Sequence, residues 1–181
     1  MLVTFVRAVD RLNEAVGRGV AWLTLAMVLV TFTVVVLRYV YAVGWVWLQE
    51  SYVWMHGIVF MLGAGYTLLH NGHVRVDIFY RAKSARYRAI VDLLGALLLL
   101  TPLVILVFAV SYDYVLSSWL RLEQSREAGG LPGLFLLKSV LLVFCVLLGL
   151  QALSLAARSF LVLGGRGDLA PDLDGPPPDA T

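Results

Sequence analysis

The sequence predicts an all-α integral membrane protein with four transmembrane helices and an N-terminal amphipathic interfacial helix. Three observations carry that prediction. The 181 residues are 60% hydrophobic and 14% charged, with a mean hydropathy of +0.85. A soluble domain of this size lacks the polar surface to cover so much apolar side chain. The apolar residues also gather into four long runs, each reaching the roughly 20 residues that a helix needs to cross a bilayer core.

Residues 1–18 place Val3, Phe5, Val6, Val9, Leu12 and Val16 on one side and Arg7, Arg11, Glu14 and Arg18 on the other. That spacing reads as an amphipathic helix on the cytoplasmic membrane surface, or equally as a charged leader to the first span. The first span covers about residues 19–42. It is too long for a signal-peptide core, and a second span follows at once. Arg38, with Tyr39 and Tyr41, ends it as an interfacial anchor.

The connection at residues 43–46 is so short that spans one and two must be antiparallel neighbours. The second span covers 47–70, and a basic loop follows with Arg75, Arg81, Lys83, Arg86 and Arg88. Those residues are expected to lie against anionic lipid headgroups. The third span, 89–116, exceeds the hydrocarbon thickness and should tilt, with Thr101-Pro102 marking a bend. A polar loop at 117–132 ends in Pro132, a residue suited to a helix start. The fourth span covers 133–163. Residues 164–181, rich in Gly, Pro and Asp, are expected to form a disordered cytoplasmic tail. Arg166-Gly167-Asp168 within it spells an adhesion tripeptide by coincidence.

Ten of the 14 Lys and Arg residues fall on the side of the termini and the 71–88 loop. The other four, Arg38, Arg121, Arg126 and Lys138, fall on the opposite side. The asymmetry predicts both termini in the cytoplasm and the 43–46 and 117–132 connections outside.

The formal charge of +2 is too small and scattered for nucleic-acid binding. Cys145, the single cysteine, excludes an intrachain disulfide and reads as a small packing residue. No phosphate-binding glycine loop, nucleophile–base pair or metal-spaced carboxylate set occurs, so neither catalysis nor a resident metal or cofactor is expected.

The second span is the informative one. Gln49, His56, Gly63 and His70 recur every seven residues, and Glu50, Gly57 and Ala64 form the adjacent row. Seven residues is nearly two turns, so the rows make one polar-and-small stripe suited to another helix. That helix belongs either to this chain or to a separate subunit, and the sequence leaves both open. Glu50 inside a span needs a partner; Arg38 and Lys138 are the nearest positive candidates. An ion-coupling role for Glu50 is the sharper alternative, but such a site normally gathers several polar groups at mid-depth. His56 and His70 invite a haem reading. It fails on ligand count, because the one other histidine is His73 in the following loop.

Residues 10–163 resemble the small membrane subunit, the Q-type small permease, of TRAP (tripartite ATP-independent periplasmic) transporters. The resemblance rests on Arg38-Tyr39, Trp47-Leu48-Gln49-Glu50, Gly63-Ala64 and above all Gly72-His73-Val74-Arg75-Val76-Asp77. Ser118-Trp119, Glu123, Ser125, Gly130-Leu131-Pro132, Lys138 and Gln151 extend it.

The resemblance implies a non-catalytic inner-membrane subunit that scaffolds a separate large permease. That large subunit would carry the substrate and Na+ sites, and a periplasmic binding protein would deliver an organic acid or related solute. With such a subunit as partner, the stripe residues Gln49, Glu50, His56, Gly57, Gly63 and Ala64 are expected to face it if they do not pack within this chain. Arg121, Glu123, Arg126 and Glu127 would meet the binding protein. The alternative is a membrane anchor or structural subunit of another complex, for example a respiratory one.

Overall fold

The computed structural model describes residues 1–73, 80 and 83–165. The expectations for Arg75, Asp77 and Arg81, and for the tail beyond residue 165, lie outside the described residues. Four helices among them are long and apolar enough to cross a membrane: α1 (Leu2–Val40), α2 (Val46–Leu69), α3 (Ala85–Leu120) and α4 (Leu134–Leu163).

The amphipathic segment and the first span are one unbroken helix. No proline interrupts residues 2–40, and the 39 residues of α1 reach about 58 Å, far more than the core of a bilayer. Val6, Val9, Asn13 and Gly17 form its buried row, spaced three, four and four apart. The polar half therefore packs onto this chain's own bundle rather than lying separately on lipid.

Helix α4 is the centre of the molecule and touches each of the other three. Val104 of α3 meets Cys145 and Leu148 of α4 in the apolar core, with Ala64 and Leu68 of α2 packed against them. Small residues on α4 (Ala152, Ser154, Ala156, Ser159) are buried, which lets its neighbours approach closely.

The disturbance expected at Thr101-Pro102 takes the form of a π-helical turn at Gly95–Leu100. Proline has no N–H and its ring crowds the carbonyl four residues back. The widened turn makes room, and Thr101 N–H reaches Ala96 O.

Two helix ends share one stop. At the end of α2, Gly72 N–H bonds Thr67 O at 2.8 Å and Asn71 N–H bonds Leu68 O at 3.2 Å, with Asn71 at φ 54°. At the end of α3, Glu123 N–H bonds Ser118 O at 3.0 Å and Leu122 N–H bonds Trp119 O at 3.1 Å. Both are paired-bond C-caps that demand a left-handed residue. Asn tolerates that conformation; Leu122, at φ 45°, is strained by it.

Candidate functional site: two polar clusters and an open helix face

The first cluster sits where the α3–α4 loop closes over α2. Glu50, one turn into α2, accepts hydrogen bonds from Leu131 N–H at 2.6 Å and from the Ser125 hydroxyl. Ser125 is also held through its backbone, donating to Leu131 O at 3.2 Å. Gly130 lies directly against this pair: a Cβ there would come within 2.5 Å of Ser125 Oγ and 2.7 Å of Glu50 Oε2. The glycine of Gly130-Leu131-Pro132 is thus required by close approach. Pro132 stands two residues before α4, whose first residue is Leu134 and whose N-cap is Gly133 at φ 89°.

Beside it, Glu123 accepts from the Lys138 ammonium and from the Ser118 hydroxyl at 2.8 Å. Lys138 also lies over the Tyr114 ring, 4.1 Å from its centroid. The Lys138 hydrogen bond, aided by Ser118, holds the Glu123 carboxyl below the usual glutamate range. Trp119 Nε1 donates to Ser139 Oγ at 2.7 Å and completes the tie between α3 and α4.

This geometry corrects one expectation. The charge pairing of Glu50 with Arg38 or Lys138 does not form: Lys138 is drawn to Glu123, and Arg38 is exposed. Glu50 is instead satisfied by a hydroxyl and a backbone amide of the α3–α4 loop. Among the proposed docking residues, Arg121, Arg126 and Glu127 are exposed, and Glu123 is partly exposed while it accepts from Lys138 and Ser118.

The second cluster, at the end carrying the N-terminus, was not visible in the sequence. Asp10 of α1 accepts from Gln151 Nε2 and Ser154 Oγ, each at 3.0 Å, and from the Arg158 guanidinium. Asn13, fully buried, donates to Gln151 Oε1 at 2.8 Å. Its own Oδ1 lies against Gly65 of α2, where an added Cβ would fall 2.0 Å away. One turn further, Gly17 meets Tyr66 just as closely, and His70 Nε2 lies 2.7 Å from Glu14 Oε2. The available signal was the spacing of Gln151, Ser154 and Arg158 at i, i+3 and i+7 directly after the apolar run of residues 140–150. Polar groups so placed need polar partners.

The stripe on α2 divides. Glu50, Gly57 and Ala64 turn inward, onto the loop, towards Leu137 and onto the core respectively. Gln49 is half-buried near Gly44. A Cβ on Gly63 would meet nothing within 4 Å, and Gly63 lines an open crevice with Gly72 and His73. His56 is exposed.

Among the described residues no group of three or more His, Cys, Asp or Glu could hold a metal. The polar groups of both clusters join helix to helix and loop to helix. These features define a multi-pass helical membrane protein whose internal chemistry is that of assembly.

Residues 27–162 match the family model described as "Tripartite ATP-independent periplasmic transporters, DctQ component". The chain belongs to this family: it is a small permease component of a TRAP transporter, and the family is a transporter component, not an enzyme. No curated protein and no solved structure matches the chain significantly.

Proposed function

We propose that this chain is the non-catalytic scaffold subunit of a sodium-driven TRAP transporter in the bacterial inner membrane, with both termini in the cytoplasm. Its partner is a separate large permease, which carries the Na+ and substrate sites. A periplasmic binding protein delivers an organic acid or related solute to that permease and meets Arg121, Arg126 and Glu127 on the exposed loop.

The family match is supported by one observation above all. Glu50, the acid in the body of α2, spends its acceptor oxygens on Ser125 and Leu131, leaving it as a loop anchor rather than an ion ligand. Histidine placement gives the haem-anchor alternative no support. His70 is engaged by Glu14, while His56 lies on the exposed side of the same helix.

Reconstitution tests the proposal. Liposomes holding this chain with the large permease, plus binding protein and an inward Na+ gradient, should take up solute; either chain alone should not. Uptake by this chain alone would overturn the scaffold role.

A further inference from the structure

A transmembrane helix meets lipid on any face that protein leaves open, and lipid offers an imidazole N–H no acceptor. His56 stands on such a face. It lies near the middle of α2, it is exposed, and its ring neighbour is Phe60, with centroids 6.4 Å apart. Among the described residues nothing hydrogen-bonds its ring.

Beside it runs a groove between α1 and α2, about 420 Å³ in volume, lined by Met27, Val28, Thr31, Tyr52, Val53 and His56. Thr31 is already satisfied, its hydroxyl donating to Met27 O at 2.7 Å. The groove continues as two exposed apolar rows. On α2 the row is Val53 and Phe60 around His56; on α1 it is Val28, Phe32 and Val35. Rows at these spacings form ridges into which a third helix can pack.

We infer that this groove seats a transmembrane helix of the partner membrane subunit, which sets a hydrogen-bond acceptor against His56. The inference rests on the small-subunit reading above and names its surface. An acyl chain would fill the groove but leave the imidazole unpaired at mid-depth. A soluble partner cannot reach that depth. A second copy of this chain packed with the two-fold axis at His56 would set imidazole against imidazole, which pairs only while at least one ring keeps a free acceptor nitrogen; a dedicated acceptor serves every protonation state. The partition of the stripe agrees: Glu50, Gly57 and Ala64 are used within the chain, and His56 is left over.

The test uses the co-expressed complex with the large permease. A benzophenone amino acid is placed at Val28, at Val53 or, as a control, at the exposed Leu98 of α3. Irradiation in membranes should join this chain to the permease from Val28 and Val53 but not from Leu98. His56→Leu should lower the fraction of this chain that co-purifies with the permease roughly tenfold, and His56→Asn should retain most of it.

Cross-linked pairs of this chain, or lipid adducts alone with co-purification intact, would overturn the inference while leaving the scaffold role standing. Cross-linking to the permease with His56→Leu unaffected would overturn the acceptor. If the unaltered chain does not co-purify with the permease at all, the scaffold reading falls and this inference with it.

Discussion

Glu50 on α2 and Leu131 in the loop before α4, 81 positions apart in the chain, are joined by a 2.6 Å hydrogen bond from the Leu131 amide to the Glu50 carboxylate. The same carboxylate takes the Ser125 hydroxyl, so one side chain fixes two points of the loop. Gly130 lies between them, where any Cβ would push the carboxylate away. The Trp47-Leu48-Gln49-Glu50 and Gly130-Leu131-Pro132 elements are therefore two halves of one contact.

Removing that carboxylate should free the loop without dissolving the bundle. Hydrogen bonds to a charged acceptor contribute about 1.5–3 kcal/mol, and Glu50→Ala forfeits two of them. Trypsin cleavage after Arg126 should become markedly faster in Glu50→Ala, while Glu50→Gln, which keeps an acceptor oxygen, should fall between. Equal cleavage rates in all three proteins would show that other contacts hold the loop.

Close approach of α1 and α2 depends on Gly65, whose Cα faces Asn13 Oδ1. Gly65→Ala should destabilise the protein by about 1–3 kcal/mol through overpacking. Gly63, two residues away, has open space at its Cβ position. Gly63→Ala should therefore be neutral or slightly stabilising, since alanine favours helix by up to about 1 kcal/mol. Thermal melting of the purified chain in detergent distinguishes the two; equal losses would mean that helix contact is not the determinant.

Much of this architecture was legible in the sequence because lipid imposes a coarse rule: long apolar runs must be helices. The second and fourth apolar runs, residues 47–70 and 133–163, fall on helices α2 (Val46–Leu69) and α4 (Leu134–Leu163). At the start of α1, amphipathicity records which side is apolar, not what covers it, so a surface helix and a leader to the first span both fit the sequence. Its apolar row binds the chain's own bundle through Val6, Val9, Asn13 and Gly17. Glu50 was recognisable as needing a partner, but charge alone suggested Arg38 or Lys138. A backbone amide carries no signature in sequence, so Leu131 could not be found. Asp10 and Asn13 were hidden likewise, because their partners Gln151, Ser154 and Arg158 lie some 140 residues along the chain and only folding juxtaposes them.

Leu122 adopts the left-handed conformation that the α3 C-cap demands, at φ 45°, while the residue is 62% exposed. Little packing is lost on truncation, and glycine relieves the clash between Cβ and carbonyl that costs about 1–2 kcal/mol. Leu122→Gly should raise stability by about 1 kcal/mol after allowing for the freer unfolded chain. A lower melting temperature would mean that the exposed leucine contributes a contact of its own.

Acid should loosen the Glu123 anchor only well below neutrality. Lys138 and Ser118 hold the folded Glu123 carboxyl below its ordinary value, so the unfolded chain takes up the proton first as pH falls. The stabilisation is complete above the ordinary glutamate range and is lost as pH drops through the lowered folded value. Between pH 8 and pH 6 the melting temperature should thus receive no change from this group. Below about pH 4.5 the difference between the unaltered protein and Glu123→Gln should shrink, because protonation produces a neutral carboxyl much like the amide. Melting curves of the two proteins from pH 7 to pH 3 measure this. A difference that stays constant to pH 3 would show that the Glu123 charge, and with it the Lys138 pairing, does not stabilise the loop.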